Sequence, residues 1–179
     1  WFNSFNFMDG INGITSLYSS LCLFTLYIVG YSLDIYDLHL IIIVLLSLLV
    51  FSFLNFRKQA VAFAGDVGSI SLSYIIAFLM IALILNTNEI SYILFLSIYG
   101  IDAAITIIQR LFKGENIFKP HRTHLYQYLA NEKKWSHLLI SIIYSFIQLL
   151  INLIVLFIII PSKYSLPLSM LVLFILVLV

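Results

Sequence analysis

Charge is what this sequence has least of. Asp, Glu, Lys and Arg make up 9% of its 179 residues, where a soluble domain carries about a quarter. The net charge of +1 leaves no basic field for a nucleic-acid partner, so none is expected. Cysteine is scarcer still. Cys22 stands alone in an apolar run, which excludes a disulfide framework or a cysteine-ligated metal within this chain. No charged n-region with a short apolar segment and cleavage site opens the sequence, so no signal peptide is read. Internal repeats and low-complexity linkers are also missing.

What fills the chain instead is hydrocarbon: 63% of the residues are hydrophobic. A membrane helix needs about 20 predominantly apolar residues. Runs of that kind are expected as helices near 14–33, 40–56, 67–85, 90–108 and 138–160, with a sixth at 166–179 that stops with the chain. Backbone in hydrocarbon must satisfy its own hydrogen bonds, and the runs do not alternate as barrel strands do. The expected fold is therefore all-α: one polytopic transmembrane helix bundle. The sequence begins at Trp1 rather than Met, and we expect a C-terminal piece of a longer membrane protein.

Six helices in series place the connections alternately on two sides. Segments 1–13, 57–66 and 109–137 share one side and hold Arg57, Lys58, Arg110, Lys113, Lys119, Arg122, Lys133 and Lys134; the other side has Lys163 alone. The positive-inside rule makes the first side cytoplasmic, and we expect a multi-pass membrane protein. Three polar turns then face the same compartment: NFMDGINGI, the AGDVGS turn and the long segment with PHRTH. Connections of that length without structure of their own are often functional.

Each turn has a chemical and a structural reading. Asn3, Asn6, Asp9 and Asn12 recur every third residue, a spacing that on a helical turn lines them along one side, although Asp9 or Asn12 could simply cap the first long helix. Asp66, in FAGDVGS, is either a cap or a carboxylate aimed at a cation; Mg²⁺ takes oxygen ligands, commonly one or two carboxylates plus substrate phosphates. Asp102 lies inside the fourth run, where an ionisable residue implies function by default. Arg110, eight residues on, is about 12 Å away along a helix, too far for a direct pair. In PHRTHLYQYL, His121 and His124 are three apart, but no further ligand makes a zinc site. Arg122 between imidazoles suits phosphate, or else Lys119 and Arg122 merely meet lipid headgroups.

In this order, NSFNFMDGINGI, FAGDVGS and IDAAITIIQRLFKGENIFKPHRTHLYQYL resemble the polyprenyl-phosphate N-acetylhexosamine-1-phosphate transferases of glycosyltransferase family 4. The resemblance runs along essentially the whole chain and is nearest the bacterial branch that loads GlcNAc-1-phosphate on undecaprenyl phosphate; the phospho-MurNAc-pentapeptide translocase is a more distant cousin. It implies Mg²⁺-dependent transfer of a HexNAc-1-phosphate from a UDP-sugar to a polyprenyl phosphate, releasing UMP and starting a lipid-linked glycan. It further implies Asp66 as metal ligand with Asn6 near the metal and diphosphate, Phe63 stacked on uracil, and Asn12 on the uracil edge. Asp9 and Asp102 match acidic site positions of unassigned role, and His121, Arg122 and His124 would contact the diphosphate or sugar. Asn12 and PHRTH depart from the translocase's aspartate and histidine run. The family's adjacent Asp-Asp pair is missing, so this stretch by itself is expected to be inactive. A homodimer is compatible with the sequence. The rival readings are a transporter, disfavoured by polar groups massed at one face and the lack of repeats, or a non-catalytic membrane subunit; a CDP-alcohol-type transferase lacks its aspartate-rich helix here.

Overall fold

The computed structural model describes residues 1–116 and 123–178, and among them there is no β-strand. Eight α-helices follow in order: α1 (Phe2–Phe7), α2 (Ile14–Leu33), α3 (Leu38–Asn55), α4 (Gly65–Thr87), α5 (Ser97–Phe112), α6 (Leu125–Asn131), α7 (His137–Ile154) and α8 (Ser165–Leu178). A 3₁₀ segment, Ile90–Leu96, leads directly into α5, and a π-helical turn, Val155–Ile159, extends α7. Five stretches are long and apolar enough to cross a membrane: Ile14–Leu33, Leu38–Asn55, Gly65–Thr87, Ile90–Phe112 and His137–Ile159. The sixth, α8, has 14 residues, about 21 Å of helix, which is short of a bilayer core. The chain is thus an all-α polytopic membrane bundle. Helix starts at 38, 65 and 137 lie within two residues of the apolar run boundaries because polar residues end each run.

The central helix is α2, packed against α3, α4 and α7. Its buried face mixes Leu23, Leu26 and Val29 with Thr15, Ser16, Ser19 and Thr25. Small hydroxyl residues let helix backbones approach closely where no hydrophobic drive separates protein from lipid. Around them an aromatic cluster closes the core: Tyr18 and Tyr99 stack with ring centroids 3.6 Å apart, and Phe5 meets Tyr99 at 5.3 Å.

The break between the 3₁₀ segment and α5 is the main irregularity at membrane depth. Gln148 of α7 braces it at the Ile98 N–H and at the Leu94 carbonyl, which also accepts from the Ser97 N–H. Gln148 Nε2 donates to the Leu94 carbonyl at 2.8 Å, and its Oε1 accepts from Ile98 N at 3.0 Å and from the Tyr18 hydroxyl at 2.9 Å. The same Nε2 reaches Asn152 Oδ1 at 2.8 Å, and Asn152 Nδ2 donates to Thr25 Oγ1 at 2.9 Å. Irregular backbone in a membrane is tolerated only where protein covers it and supplies partners. Gln148→Leu removes these partners. Its expected effect is a loss of about 2 kcal/mol of stability, measured by unfolding the full-length protein in mixed micelles; an unchanged midpoint would remove Gln148 as the support of the break.

At the end remote from the polar turns, the helices close with ordinary caps. Asp34 and Asn88 take left-handed conformations after α2 and α4. Asp37 accepts from His39 N at 2.9 Å to open α3, and Glu89 joins Ser91 N at 3.1 Å to the Ser165 hydroxyl at 2.9 Å. These acids are accounted for by helix ends.

Candidate active site

The opposite end of the bundle is assembled from three separated stretches. The short helix α1 lies against the start of α4: Trp1 Nε1 donates to the Ser73 carbonyl at 3.1 Å, and Phe2 stacks on Tyr74. Helix α1 stops at Phe7, so Asn3 and Asn6 sit on it while Asp9 and Asn12 belong to the bend that follows. The three-residue spacing of these polar residues is therefore not one helix face. Neither Asp9 nor Asn12 caps α2; its N-cap is Gly13, with no side-chain cap bond. Gly13 has φ +86°, and an added Cβ there would meet the Phe56 ring, so the position accepts only glycine without strain. Its N–H donates to Asn55 Oδ1 at 2.8 Å, and Asn55 Nδ2 donates onward to the Ala62 carbonyl at 2.8 Å. A buried asparagine at the end of α3 thereby ties the bend to the 56–64 turn.

Asn12 reinforces that tie. Its Nδ2 donates to the carbonyls of Arg57 and Lys58 at 2.9 and 3.1 Å, and its own carbonyl accepts from the Ser141 hydroxyl of α7 at 2.9 Å. The side-chain nitrogen of Asn12, a residue the resemblance puts at a uracil edge, is thus engaged with protein backbone. Phe63 projects from the same turn with its ring 70% exposed, a free aromatic face at a membrane–water boundary. From this turn an open, largely apolar groove of about 330 Å³ runs between α3 and α4, lined among others by Phe51, Phe63, Gly68 and Leu72.

Asp66 opens the first turn of α4 and is exposed. The cap reading does not hold for it: the N-cap is Ala64, and no side chain caps this helix. A carboxylate in the first turn is favoured by the helix dipole, and here it remains available to a ligand. Asn6 comes alongside through Ser69, whose hydroxyl donates to Asn6 Oδ1 at 2.7 Å and approaches the Asp66 carbonyl at 3.3 Å. Asp9 is close enough to feel Asp66. Burial raises the Asp9 carboxyl above its ordinary range, and the Asp66 charge adds to that, while the Thr15 hydroxyl and the Gly65 backbone beside it pull the other way.

Asn6 and Asp9 are thus brought to the start of α4, where Asp66 lies, across the 56 residues that separate Asp9 from Asp66. Carboxylates and a carboxamide oxygen are hard oxygen donors of the kind that suits Mg²⁺ rather than a softer metal. The described residues contain no group of three or more His, Cys, Asp or Glu that could hold a metal unaided. Any cation here draws its remaining ligands from amides, water or a bound phosphate.

The third stretch enters through α6. Tyr126 is fully buried, and its hydroxyl donates to the Phe7 carbonyl at 2.7 Å. An added Cβ at Gly10 would collide with that hydroxyl, so the bend and α6 fit only because residue 10 has no side chain. His124 precedes α6; its N–H donates to Gln127 Oε1 at 3.3 Å, and its ring packs between Phe7 and Tyr126 at centroid distances of 6.1 and 5.9 Å. His121 and Arg122 lie outside the described residues.

Asp102 is not an isolated membrane charge. It is buried in α5, where Oδ2 accepts from the Tyr144 hydroxyl at 2.7 Å and Oδ1 accepts from Leu125 N at 3.0 Å. His124 Nδ1 lies 3.3 Å from the same Oδ1, and Thr106 Oγ1 lies 3.4 Å from it. Arg110 stays apart from this group: its Nε pairs with Glu115 at 3.0 Å, and an Nη donates to the Asn116 carbonyl at 2.7 Å, holding the chain as it leaves α5. Sequence reasoning passed over Asn55, Ser69, Tyr126 and Tyr144. Only Asn55, a lone amide closing an apolar run beside Arg57 and Lys58, carried a local signal.

Comparison with known proteins follows the same residues. The model of glycosyl transferase family 4 matches residues 1–84, which hold both the bend and the Asp66 turn. The phospho-N-acetylmuramoyl-pentapeptide-transferase of Streptococcus mutans is 30% identical over 149 residues, covering 75% of this chain and 43% of that protein. Its counterpart in Lactococcus lactis subsp. cremoris (strain MG1363) is 30% identical over 152 residues, 80% of this chain and 45% of that protein. A probable undecaprenyl-phosphate N-acetylglucosaminyl 1-phosphate transferase of Bacillus subtilis is 30% identical over 132 residues, 71% of this chain and 37% of that protein. The chain spans less than half the length of these relatives, and the pentapeptide-transferase kind matches over at least as much of the chain as the GlcNAc-1-phosphate kind, so the expected nearness to the latter branch is not supported. The matches stop short of the whole-chain resemblance expected from the motifs. No solved structure matches. An all-α membrane bundle that gathers the NFMDG bend and the GDVGS turn at one end, with these relatives, is a member of glycosyl transferase family 4.

Proposed function

We propose that the full-length protein transfers a HexNAc-1-phosphate, GlcNAc-1-phosphate first among the candidates, from a UDP-sugar to undecaprenyl phosphate at the cytoplasmic face of a bacterial inner membrane. The observation that carries this reading is the gathering of Asp9, Asp66 and Asn6 at one end of the bundle, beside the exposed ring of Phe63.

The chemistry sets what such a site must do. A phosphate oxygen of the lipid attacks the sugar-linked phosphorus; the new P–O bond gives a lipid diphosphate sugar, and the bond to UMP breaks, so UMP leaves with the electron pair. Both reactants are anionic and repel each other, so binding requires charge compensation. Mg²⁺ at the Asp9–Asp66–Asn6 end, when bound, neutralises the diphosphate. Phe63 offers a stacking face to uracil, the Asn12 oxygen an acceptor for its N–H, and His124 with the neighbouring cationic segment, His121 and Arg122 among it, contacts to diphosphate or sugar. The lipid phosphate lies at the membrane surface, which is where these helix ends are.

A transporter would use a broken membrane helix to line a substrate path. The break before α5 is instead filled by the Gln148 amide, which removes that argument. The test is direct. Full-length protein in detergent should release UMP from UDP-GlcNAc only when undecaprenyl phosphate and Mg²⁺ are both present, with UDP-GalNAc and other UDP-HexNAc donors run beside it. No release from any donor overturns the reading.

A further inference from the structure

Asp102 has the type and setting of a catalytic acid, yet its geometry assigns it different work. A carboxylate is acceptor-only, and this one meets the Tyr144 and Thr106 hydroxyls, the Leu125 N–H and the His124 ring. Two of those donors are fixed: the Tyr144 hydroxyl of α7 at 2.7 Å on Oδ2 and the Leu125 N–H at 3.0 Å on Oδ1. The second is an unsatisfied amide at the start of α6, so a carboxylate from another helix acts as the N-terminal partner that α6 needs. The His124 ring is held by the same atom: its Nδ1 lies 3.3 Å from Asp102 Oδ1, while the His124 side chain also accepts from the Gln127 N–H in the first turn of α6, so the ring sits between the carboxylate and the helix start.

The consequences extend past His124. One residue beyond Leu125, the Tyr126 hydroxyl donates to the Phe7 carbonyl and fills the space that a side chain at Gly10 would occupy. Asp9 lies between those two contacts. A continuous route of hydrogen bonds and packing therefore runs from Tyr144 through Asp102 and α6 to the bend that carries Asp9. We infer that Asp102, held by the Tyr144 hydroxyl, is a positioning residue that sets the His124 ring and, through Tyr126, the bend bearing Asp9. The effect on turnover rests on the transferase reading above; the structural part does not.

The two roles for Asp102 differ in what a neutral amide can do. Asparagine keeps an oxygen for the Leu125 N–H and beside His124 Nδ1 but cannot take or give a proton as an acid does. In the full-length protein, Asp102→Ala is expected to lower kcat about a hundredfold, and Asp102→Asn to recover it to within about tenfold of the native rate. Tyr144→Phe, which removes one hydroxyl, should lower kcat about tenfold with KM for the UDP-sugar little changed. The independent readout is the ¹⁵N spectrum of histidine-labelled protein, with His124 assigned by its loss in His124→Gln. Native protein and Asp102→Asn should show closely similar His124 ring-nitrogen shifts, and Asp102→Ala should move them. An asparagine variant as inactive as the alanine variant makes Asp102 a proton-transfer group and overturns the inference. His124 shifts unchanged in Asp102→Ala, or full activity of Tyr144→Phe, overturn it as well. If the native protein transfers no phosphosugar at all, the functional reading fails while the nitrogen spectra still decide the positioning claim.

Discussion

Asp66→Asn is expected to abolish transfer, lowering turnover by about a thousandfold or more, while the protein still inserts and folds. The side chain is exposed at the first turn of α4 and neither caps that helix nor packs in the core, so the amide has nothing structural to disturb. What it removes is one of the two carboxylates proposed to hold a hard cation beside a diphosphate. The Asp66 charge is felt at Asp9, so the two groups are near each other. UMP release from UDP-HexNAc, measured on protein with native size-exclusion behaviour and native helical content, is the check. Retained turnover would remove Asp66 from the metal site and with it the central support of the proposed chemistry.

Asp9→Asn should separate activity from stability. Burial, with the Asp66 charge second to it among the raising causes, lifts the Asp9 carboxyl in the folded protein. A carboxyl whose folded-state pKa is raised binds its proton more tightly when folded. Its contribution to stability is therefore most favourable below the unfolded value of about 3.9. That contribution is lost as pH rises through the raised folded value, and at neutral pH the ionised group opposes folding. Replacing it with asparagine removes the opposition. In chelator at pH 7, the variant is expected to melt no lower than the native protein, with any difference vanishing toward pH 4. Turnover should fall by about a hundredfold or more. Added Mg²⁺ should raise the native melting temperature, since a ligand that binds only the folded form stabilises it, and should raise that of the variant less. A variant that melts well below native protein in chelator at pH 7 contradicts the assignment of Asp9 as a strained, ligand-facing acid.

The two predictions draw on different depths of reading. Asp66 could be singled out from FAGDVGS because a Gly-flanked aspartate at the start of an apolar run is a local pattern, and local patterns survive into helix starts. The opposing cap interpretation was equally local, and only the absence of a cap bond at Ala64 decides between them. Asp9 was legible as a polar residue beside the first span, but its burial and its proximity to Asp66 depend on how α1 lies across α4. The three-residue spacing in the opening stretch pointed to one helical side, and this failed because α1 ends at Phe7. The bend there needs glycine at 10 and 13, where a hydroxyl and an aromatic ring leave no room for a side chain.

Asp102 shows the limit most clearly. The apolar run around it announced a buried charge that required an explanation, and Arg110 was correctly too distant to provide one. The explanation came from Tyr144 and Leu125, 42 and 23 residues away, neither of which has any sequence feature to mark it. Asn12 illustrates the converse. Its position at a candidate binding turn suggested a ligand contact, yet much of its hydrogen bonding holds the 56–64 turn and α7 in place.

The sequence by itself determined that the chain is a bundle of membrane helices and where most of its apolar runs begin. Hydrocarbon admits only backbone that bonds to itself, so composition and run length leave no other fold. The tertiary structure decided which polar side chains are braces and which remain open to a ligand. That distinction depends on contacts between residues tens of positions apart, and no period or local spacing encodes it.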